Sequence, residues 1–255
     1  MMGIREVLAI PFLLYACYSD IKWRRVTNKL WIPMIGLGVP FLIVDFIEKG
    51  INSILPALIS IVLVFLLVYA LYYLGVFGGA DAKALISISI LIPFYPSLNI
   101  FGYHLPFYGL PIHQIFALSV LGNGVLIGVI IPIALFIHNS ISSLRERKKP
   151  DSIFLSFIGY RKPITELRDA KHLRLLEIHE EKDGSIYKHY RFGGIKIDGE
   201  LIRQLERYLA AGMIDEKVWV TPGLPFMVTI TLGFLVAIIW GDMIDFLVKI
   251  LIGVM

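Results

Sequence analysis

Gly75-Val76-Phe77-Gly78-Gly79-Ala80-Asp81-Ala82-Lys83 joins two strongly apolar runs, Ile54 to Leu74 and Ala84 to Ile92. An acid at that junction stands where a membrane helix begins, and ionisable groups at membrane depth are rare and usually functional. Glycines at 75, 78 and 79 leave the backbone bare, so another chain can approach it closely. The bilayer must be treated as solvent for the whole protein, because 57% of its 255 residues are hydrophobic and mean hydropathy is +0.75.

A second acid closes an apolar run of the same kind. Ile4 to Ser19 holds 16 residues, or about 24 Å of helix at ~1.5 Å per residue. That falls short of a hydrocarbon core of roughly 30 Å, so the helix is expected to continue through Asp20. Lys22, Arg24, Arg25 and Lys29 follow, against Arg5 alone ahead of the run. Basic residues stay cytoplasmic, which predicts an outer N-terminus and an inner Asp20. Trp31 to Ile47 then runs outward, and Ile54 to Leu74 returns, delivering Asp81 to the face that holds Asp20.

A short fourth span, Ala82 to Ile92, leads to a loop rich in Pro, Gly and aromatics over Tyr95 to Gln114, suited to an outer interface. Ile115 to Ile137 is read as the fifth span. His138 to Lys217 differs in kind, with 16 Lys/Arg and 13 Asp/Glu. Within it, His172 to His179 and Ser185 to Tyr190 flank Lys182-Asp183-Gly184, which reads as a hairpin. Gly199 to Ala211 has helical spacing, closed by Gly212. The sixth span, Pro225 to Val254, is interrupted at Gly241-Asp242.

The expected fold is therefore an all-α polytopic membrane protein of six transmembrane helices, with a small cytoplasmic α+β domain between the fifth and sixth. The expected domains are 1–137 (membrane, five spans), 138–217 (cytoplasmic) and 218–255 (final span). Inward-facing segments then carry 21 of the 24 basic residues, which puts both termini outside. The charge asymmetry is topological and gives no argument for a nucleic-acid partner. With Cys17 as the single cysteine, an internal disulfide and a tetrathiolate zinc site are excluded.

Two carboxylates at one face can hydrolyse a peptide without metal or covalent nucleophile. One takes a proton from water while the other, protonated, polarises the amide, and a shared proton serves both roles. Asp81, at the start of a helix, is favoured as the anion by the helix dipole and is the expected base; Asp20, near the end of its helix, is the expected acid. No cysteine cluster, His-x-x-x-His pair or phosphate-binding loop points to a metal or nucleotide, so no cofactor is expected.

Gly78-Gly79-Ala80-Asp81, with Asp20-x-x-x-Arg24-x-Val26-x-Asn28, resembles the type IV prepilin peptidases, GxGD-type intramembrane aspartyl proteases. Closer still is their archaeal preflagellin (archaellin) peptidase branch, which shares six spans, no zinc-binding cysteines, a domain before the last span and a tail like Trp219-Val-Thr-Pro-Gly-Leu-Pro225. Ala80 departs from the pattern, standing where many members carry the second glycine. The resemblance implies that Asp20 and Asp81 are catalytic. Gly78, Gly79, Ala80, Lys83, Arg24 and Asn28 would support the motif or the approach of substrate. It further implies archaellin or pilin-like precursors as substrates, cut at the cytoplasmic face behind a short basic leader. The lone cysteine argues against the bacterial form that also N-methylates its product.

Plainer readings compete at several positions. Lys83, Arg24 and Arg25 read first as topology anchors, and Gly75, Gly78 and Gly79 can be packing glycines. His104 and His113 read as interfacial loop residues, His172, His179 and His189 as surface, and Asp45 as a helix-end marker. Asp242 and Asp245 are the rival acids. An ion-coupled transporter or channel, or a non-catalytic scaffold, are the rival functions; transporters characteristically show internal repeats, and none is present.

Overall fold

Each apolar run folds as a helix whose end is set by a local device. In α1 (Ile4–Trp23) the helix continues past Asp20 and stops because Arg24 turns left-handed, at φ 52° and ψ 30°. The Thr27 hydroxyl caps a short 3-10 turn over Asn28–Leu30 that leads into α2 (Trp31–Lys49). Gly50, at φ 65°, lets the chain reverse into α3 (Ile51–Tyr73). The computed structural model describes residues 3–146, 152–168, 172–182, 185–223 and 225–253. The chain divides into two compact units, Met1–Gly128 with Pro225–Met255, and Val129–Leu224.

The centre of the first unit is α4 (Gly79–Leu91). Its 13 residues span only about 20 Å at ~1.5 Å per residue. It packs against α1, α2, α3, α5 (Phe116–Gly128) and, from the end of the chain, α9 (Phe226–Ile239). A helix covered on every side has no reason to be amphipathic, and α4 mixes Ala, Ser, Leu and Ile around its circumference. Its serines satisfy themselves: the hydroxyls of Ser87 and Ser89 donate to the carbonyls of Lys83 and Ile86. Leu13, Met34, Val64, Leu85, Phe116 and Phe234 form the surrounding core. The α5–α9 contact is backbone on backbone: a Cβ at Gly233 would lie 2.5 Å from the Val120 carbonyl oxygen, and one at Gly124 3.0 Å from that of Thr229. Small residues allow this approach in membrane helices.

The last apolar run breaks as its Gly241-Asp242 interruption suggested, into α9 and α10 (Met243–Leu251), bent by 64°. The loop between Tyr95 and Gln114 contains a hairpin, β1 (Leu98–Ile100) and β2 (Tyr103–Leu105). Three helical stretches are long and apolar enough to cross a membrane, Asn28–Lys49, Ile51–Tyr73 and Phe116–Arg145, with a fourth if the bent pair is one span. The other two expected spans differ in kind. Over its 20 residues α1 carries Arg5, Glu6, Asp20 and Lys22, and α4 is short.

The second unit begins with α6 (Ile130–Glu146) and α7 (Ile153–Ile158), tied together where the Asn139 amide donates to the carbonyls of Ser156 and Gly159. Then come β3 (Tyr160–Pro163), β4 (Leu173–Lys182), β5 (Ser185–Lys196), α8 (Gly199–Ala210) and β6 (Lys217–Pro222). The four strands form an antiparallel sheet in the order β3-β6-β4-β5. β4 and β5 are the expected hairpin arms; residues 183 and 184 of the expected turn lie outside the described residues. Strand alternation divides the core. Leu175, Val218 and Val220 pack with Ile202 and Leu205 of α8, while Leu176 and Trp219 face Leu155 of α7. Helix α8 is the one expected, its N-terminus capped by the Asp198 carboxylate and its end followed by Gly212 at φ 69°.

Candidate active site

Asp20 sits in the last turn of α1 and is half-buried. Its Oδ2 accepts a hydrogen bond from the Met227 backbone N–H at 3.3 Å. Met227 lies in the first turn of α9, so Asp20 rests on the N-terminus of a helix 207 residues away in sequence. The seat is built from several contacts. The Cys17 thiol donates to the Met227 carbonyl and Thr231 hydroxyl, the Thr231 hydroxyl donates to the Leu13 carbonyl, and the Ser19 hydroxyl donates to the Arg25 carbonyl.

Asp81 is the third residue of α4, buried to 9% exposure. Its Oδ2 accepts from the Gly78 N–H at 3.0 Å, the return half of a capping box. Phe77, just ahead, packs its ring on Phe226 at 5.2 Å, so the start of α9 touches the Asp81 turn as well as Asp20. The acids are near enough for the charge of Asp20 to act on Asp81, though no hydrogen bond joins them among the described residues. Both carboxylates stand at helix N-termini, where the dipole favours anions. The expected asymmetry, Asp81 as base because it alone enjoys a helix start, therefore does not hold.

The supporting residues separate into distinct roles. Lys83 is exposed and donates from Nζ to the Asn28 Oδ1 at 2.8 Å, tying α4 to the turn that follows Asp20. It is occupied by that tether rather than by Asp81. Ala80 lies inside α4 in right-handed backbone, so this position demands no glycine. A Cβ at Gly78 would meet only the Asp81 carboxylate, and one at Gly79 only the Tyr72 ring at 3.8 Å. Neither is a packing glycine. Gly75, at φ 72° with open space beside it, makes the turn. Arg24 occupies the left-handed position that ends α1, with Nε and Nη1 buried and unbonded.

Sequence reasoning missed the start of α9 as the common support of both acids. The signal was there in Pro225 directly before an apolar run, a helix-start mark, but nothing in the linear pattern says which acid a distant amide will meet.

Asp242, the rival acid, is 4% exposed and fully engaged. Its Oδ1 accepts the N–H groups of Ile244 and Asp245, capping α10, and its Oδ2 accepts from the Ser119 hydroxyl and from His113 Nε2. Since His113 Nδ1 accepts the Ile115 N–H, the ring proton is on Nε2 and points at Asp242. His113 stays an exposed loop residue and in addition links that loop to the start of α10. Asp45 does more than mark a helix end, because Arg5 pairs with it at 2.6 Å. In the second unit, His179 is buried rather than on the surface, at 3.0 Å from Glu177. Among the described residues, no group of three or more His, Cys, Asp or Glu could hold a metal ion.

Comparison with known proteins places the chain. Residues 151–243 match the family described as Archaeal Peptidase A24 C-terminus Type II. A preflagellin peptidase of Methanococcus voltae is 28% identical over 244 residues, covering 94% of this chain and 97% of that protein. One of Methanocaldococcus jannaschii is 27% identical over 237 residues, 91% and 92% of the two chains. The prepilin peptidase EppA of Methanothermobacter thermautotrophicus is 29% identical over 127 residues, 47% of this chain and 31% of that one. With residues 7–137 of 255, more than half of its length and both acids included, matching the family described as Type IV leader peptidase family, the chain belongs to that family.

Proposed function

We propose that this protein is a membrane aspartyl endopeptidase that removes the short basic leader from archaellin or type IV pilin-like precursors. Its catalytic pair is Asp20 and Asp81. The observation that carries the reading is the shared support of the two acids by α9. One N–H from a helix start holds each carboxylate, and the remaining oxygen lone pairs are left for water and substrate. Membership of the leader peptidase family supports the choice of peptide as substrate.

In the proposed reaction a water molecule lies between the carboxyls. The ionised member takes one of its protons as the oxygen attacks the peptide carbonyl carbon. The protonated member gives its proton to the carbonyl oxygen. As the tetrahedral diol collapses, one of its hydroxyls returns a proton to the ionised member while C=O re-forms, the C–N bond breaks, and the new amine leaves with the proton of the other member, which restores the starting state. A coupled pair titrates jointly, so neither acid is assigned a permanent role.

Six spans, both termini outside and a cytoplasmic 138–217 domain complete the proposed topology, with the acids at the inner face where a basic leader is retained. Metal, nucleotide and methyl-donor cofactors have no part in it. The transporter alternative would have the same inner-face acids bind ions; Asp242, at the break between α9 and α10, has all four of its acceptor directions occupied and offers no second ion site. Co-expression with a candidate precursor tests the proposal. A mobility shift present with the native chain and absent with Asp20→Asn or Asp81→Asn supports it, and a precursor processed by either variant rejects it.

A further inference from the structure

Arg24 is an anomaly that its role as a positive-inside anchor does not explain. An anchor keeps its charge in water, yet Nε and Nη1 are both shielded from solvent and have no hydrogen-bond partner. Unpaired buried donors are uncommon and costly, the more so on a charged group. The backbone beneath is strained as well: φ 52° is the left-handed conformation in which helix ends ordinarily place glycine. Strain and unsatisfied donors at one residue are the marks of a position kept for a ligand. Position narrows what the ligand is. The Arg24 N–H donates to the Asp20 carbonyl at 2.9 Å, closing α1, and the guanidinium is near enough for its charge to act on the Asp20 carboxyl. The Trp31 indole N–H, at the start of α2, is also buried and unbonded. The acceptors missing here are oxygens, and they are missing beside the acid.

We propose that the guanidinium of Arg24 binds backbone carbonyl oxygens of the precursor segment lying across Asp20 and Asp81, and so holds the scissile peptide in place. The proposal rests on the leader peptidase reading and adds a substrate-binding residue to it. A guanidinium presents its N–H groups as a rigid planar fork, which suits two carbonyls of an extended chain better than a single ammonium does. Because Nε and Nη1 are shielded in the free protein, the side chain has to turn outward to meet those carbonyls; binding then relieves the unsatisfied donors, and part of the affinity comes from removing a cost already present.

Two variants separate this from a structural role. Arg24→Gly removes the donors while relaxing the left-handed backbone, so it folds at least as well. Arg24→Lys keeps the charge and the topology signal and loses the fork. In active protein we expect both to raise KM about tenfold or more, with kcat and its pH profile unchanged in Arg24→Lys, which keeps the charge beside Asp20. In the Asp81→Asn background, purified full-length protein in detergent should lose affinity for uncut precursor by a similar factor. Unchanged precursor affinity in Arg24→Gly overturns the proposal and returns Arg24 to anchoring. Lower kcat with a displaced pH profile and constant KM in Arg24→Lys overturns it too, since Arg24 would then act through Asp20. A change seen only when phospholipid is added would assign the fork to a headgroup phosphate and equally overturn it. If the Asp81→Asn parent binds no precursor at all, the leader peptidase reading fails, and this one with it.

Discussion

Asp242 and the pair Asp20 and Asp81 are acids drawn into the same helical unit, and their surroundings treat them oppositely. Asp242 accepts four hydrogen bonds, two from its own helix start and two from Ser119 and His113. Asp20 and Asp81 accept one each among the described residues, both from backbone amides. A carboxylate with every lone pair matched is a structural joint, since nothing is left for a substrate to bind. One held by a single fixed amide is positioned and still open. Counting acceptor directions separates the two cases where depth alone does not.

The strongest way to break that contrast is to exchange its members. Asp20→Asn or Asp81→Asn should lower the cleavage rate by at least about a thousandfold, since general acid–base contributions reach about 10²–10⁴ per group. Thermal stability in detergent should stay near that of the parent. Asp242→Ala should do the reverse: loss of the α10 cap and stranding of the His113 and Ser119 donors costs about 2–4 kcal/mol, while folded protein still cleaves. Cleavage abolished without a drop in melting temperature would put Asp242 in the chemistry and dissolve the distinction.

A smaller effect tests the tether beside the open pair. Asn28→Ala and Lys83→Met should each slow cleavage by about two- to fivefold, and the double variant should be no slower than either, because both remove the same bond. Additive losses would mean that the two residues act separately.

The smallest effect lies in the second unit. Burial would push the Glu177 carboxyl up, but the hydrogen bond to His179, the Lys188 ammonium and the Trp219 amide together hold it below the usual glutamate range. Lys188, although burial pulls it down, is held above its ordinary value, with the Glu177 charge first among the causes. A lowered folded value means that the stabilisation is complete above the unfolded pKa of about 4.3 and is lost as pH falls through the folded value. Hydrogen exchange at the β4 amides of the full chain should be faster in Glu177→Gln at pH 7, and the difference should shrink below about pH 4. A difference constant with pH would deny the carboxylate this role.

What could be read from the linear chain depended on range. The end of α1 was legible because Lys22, Arg24 and Arg25 crowd one side of an apolar run, and α8 because its spacing and Gly212 are local signals. The proposed pair, Asp20 and Asp81, can be read from the alternation of apolar runs together with the Gly78-Gly79-Ala80-Asp81 motif. The burial of His179 is hidden in the linear chain because Lys217–Pro222 stands directly ahead of the last apolar run. Once Lys217–Pro222 joins the sheet between β3 and β4, its Trp219 amide meets Glu177, and the neighbouring imidazole is covered. Met227 was invisible for the same reason: a backbone amide has no side-chain signature, and its value to Asp20 depends wholly on how α1 and α9 pack.

That amide also has a consequence for biogenesis. The N–H that holds the carboxyl of residue 20 is made 207 residues after it. A nascent chain already containing both acids has neither the seat for Asp20 nor the Phe226 ring behind the Asp81 turn. On the proposed reading the acid pair is complete only once α9 packs against Gly124 of α5, so a partly made chain carries both acids without their supports.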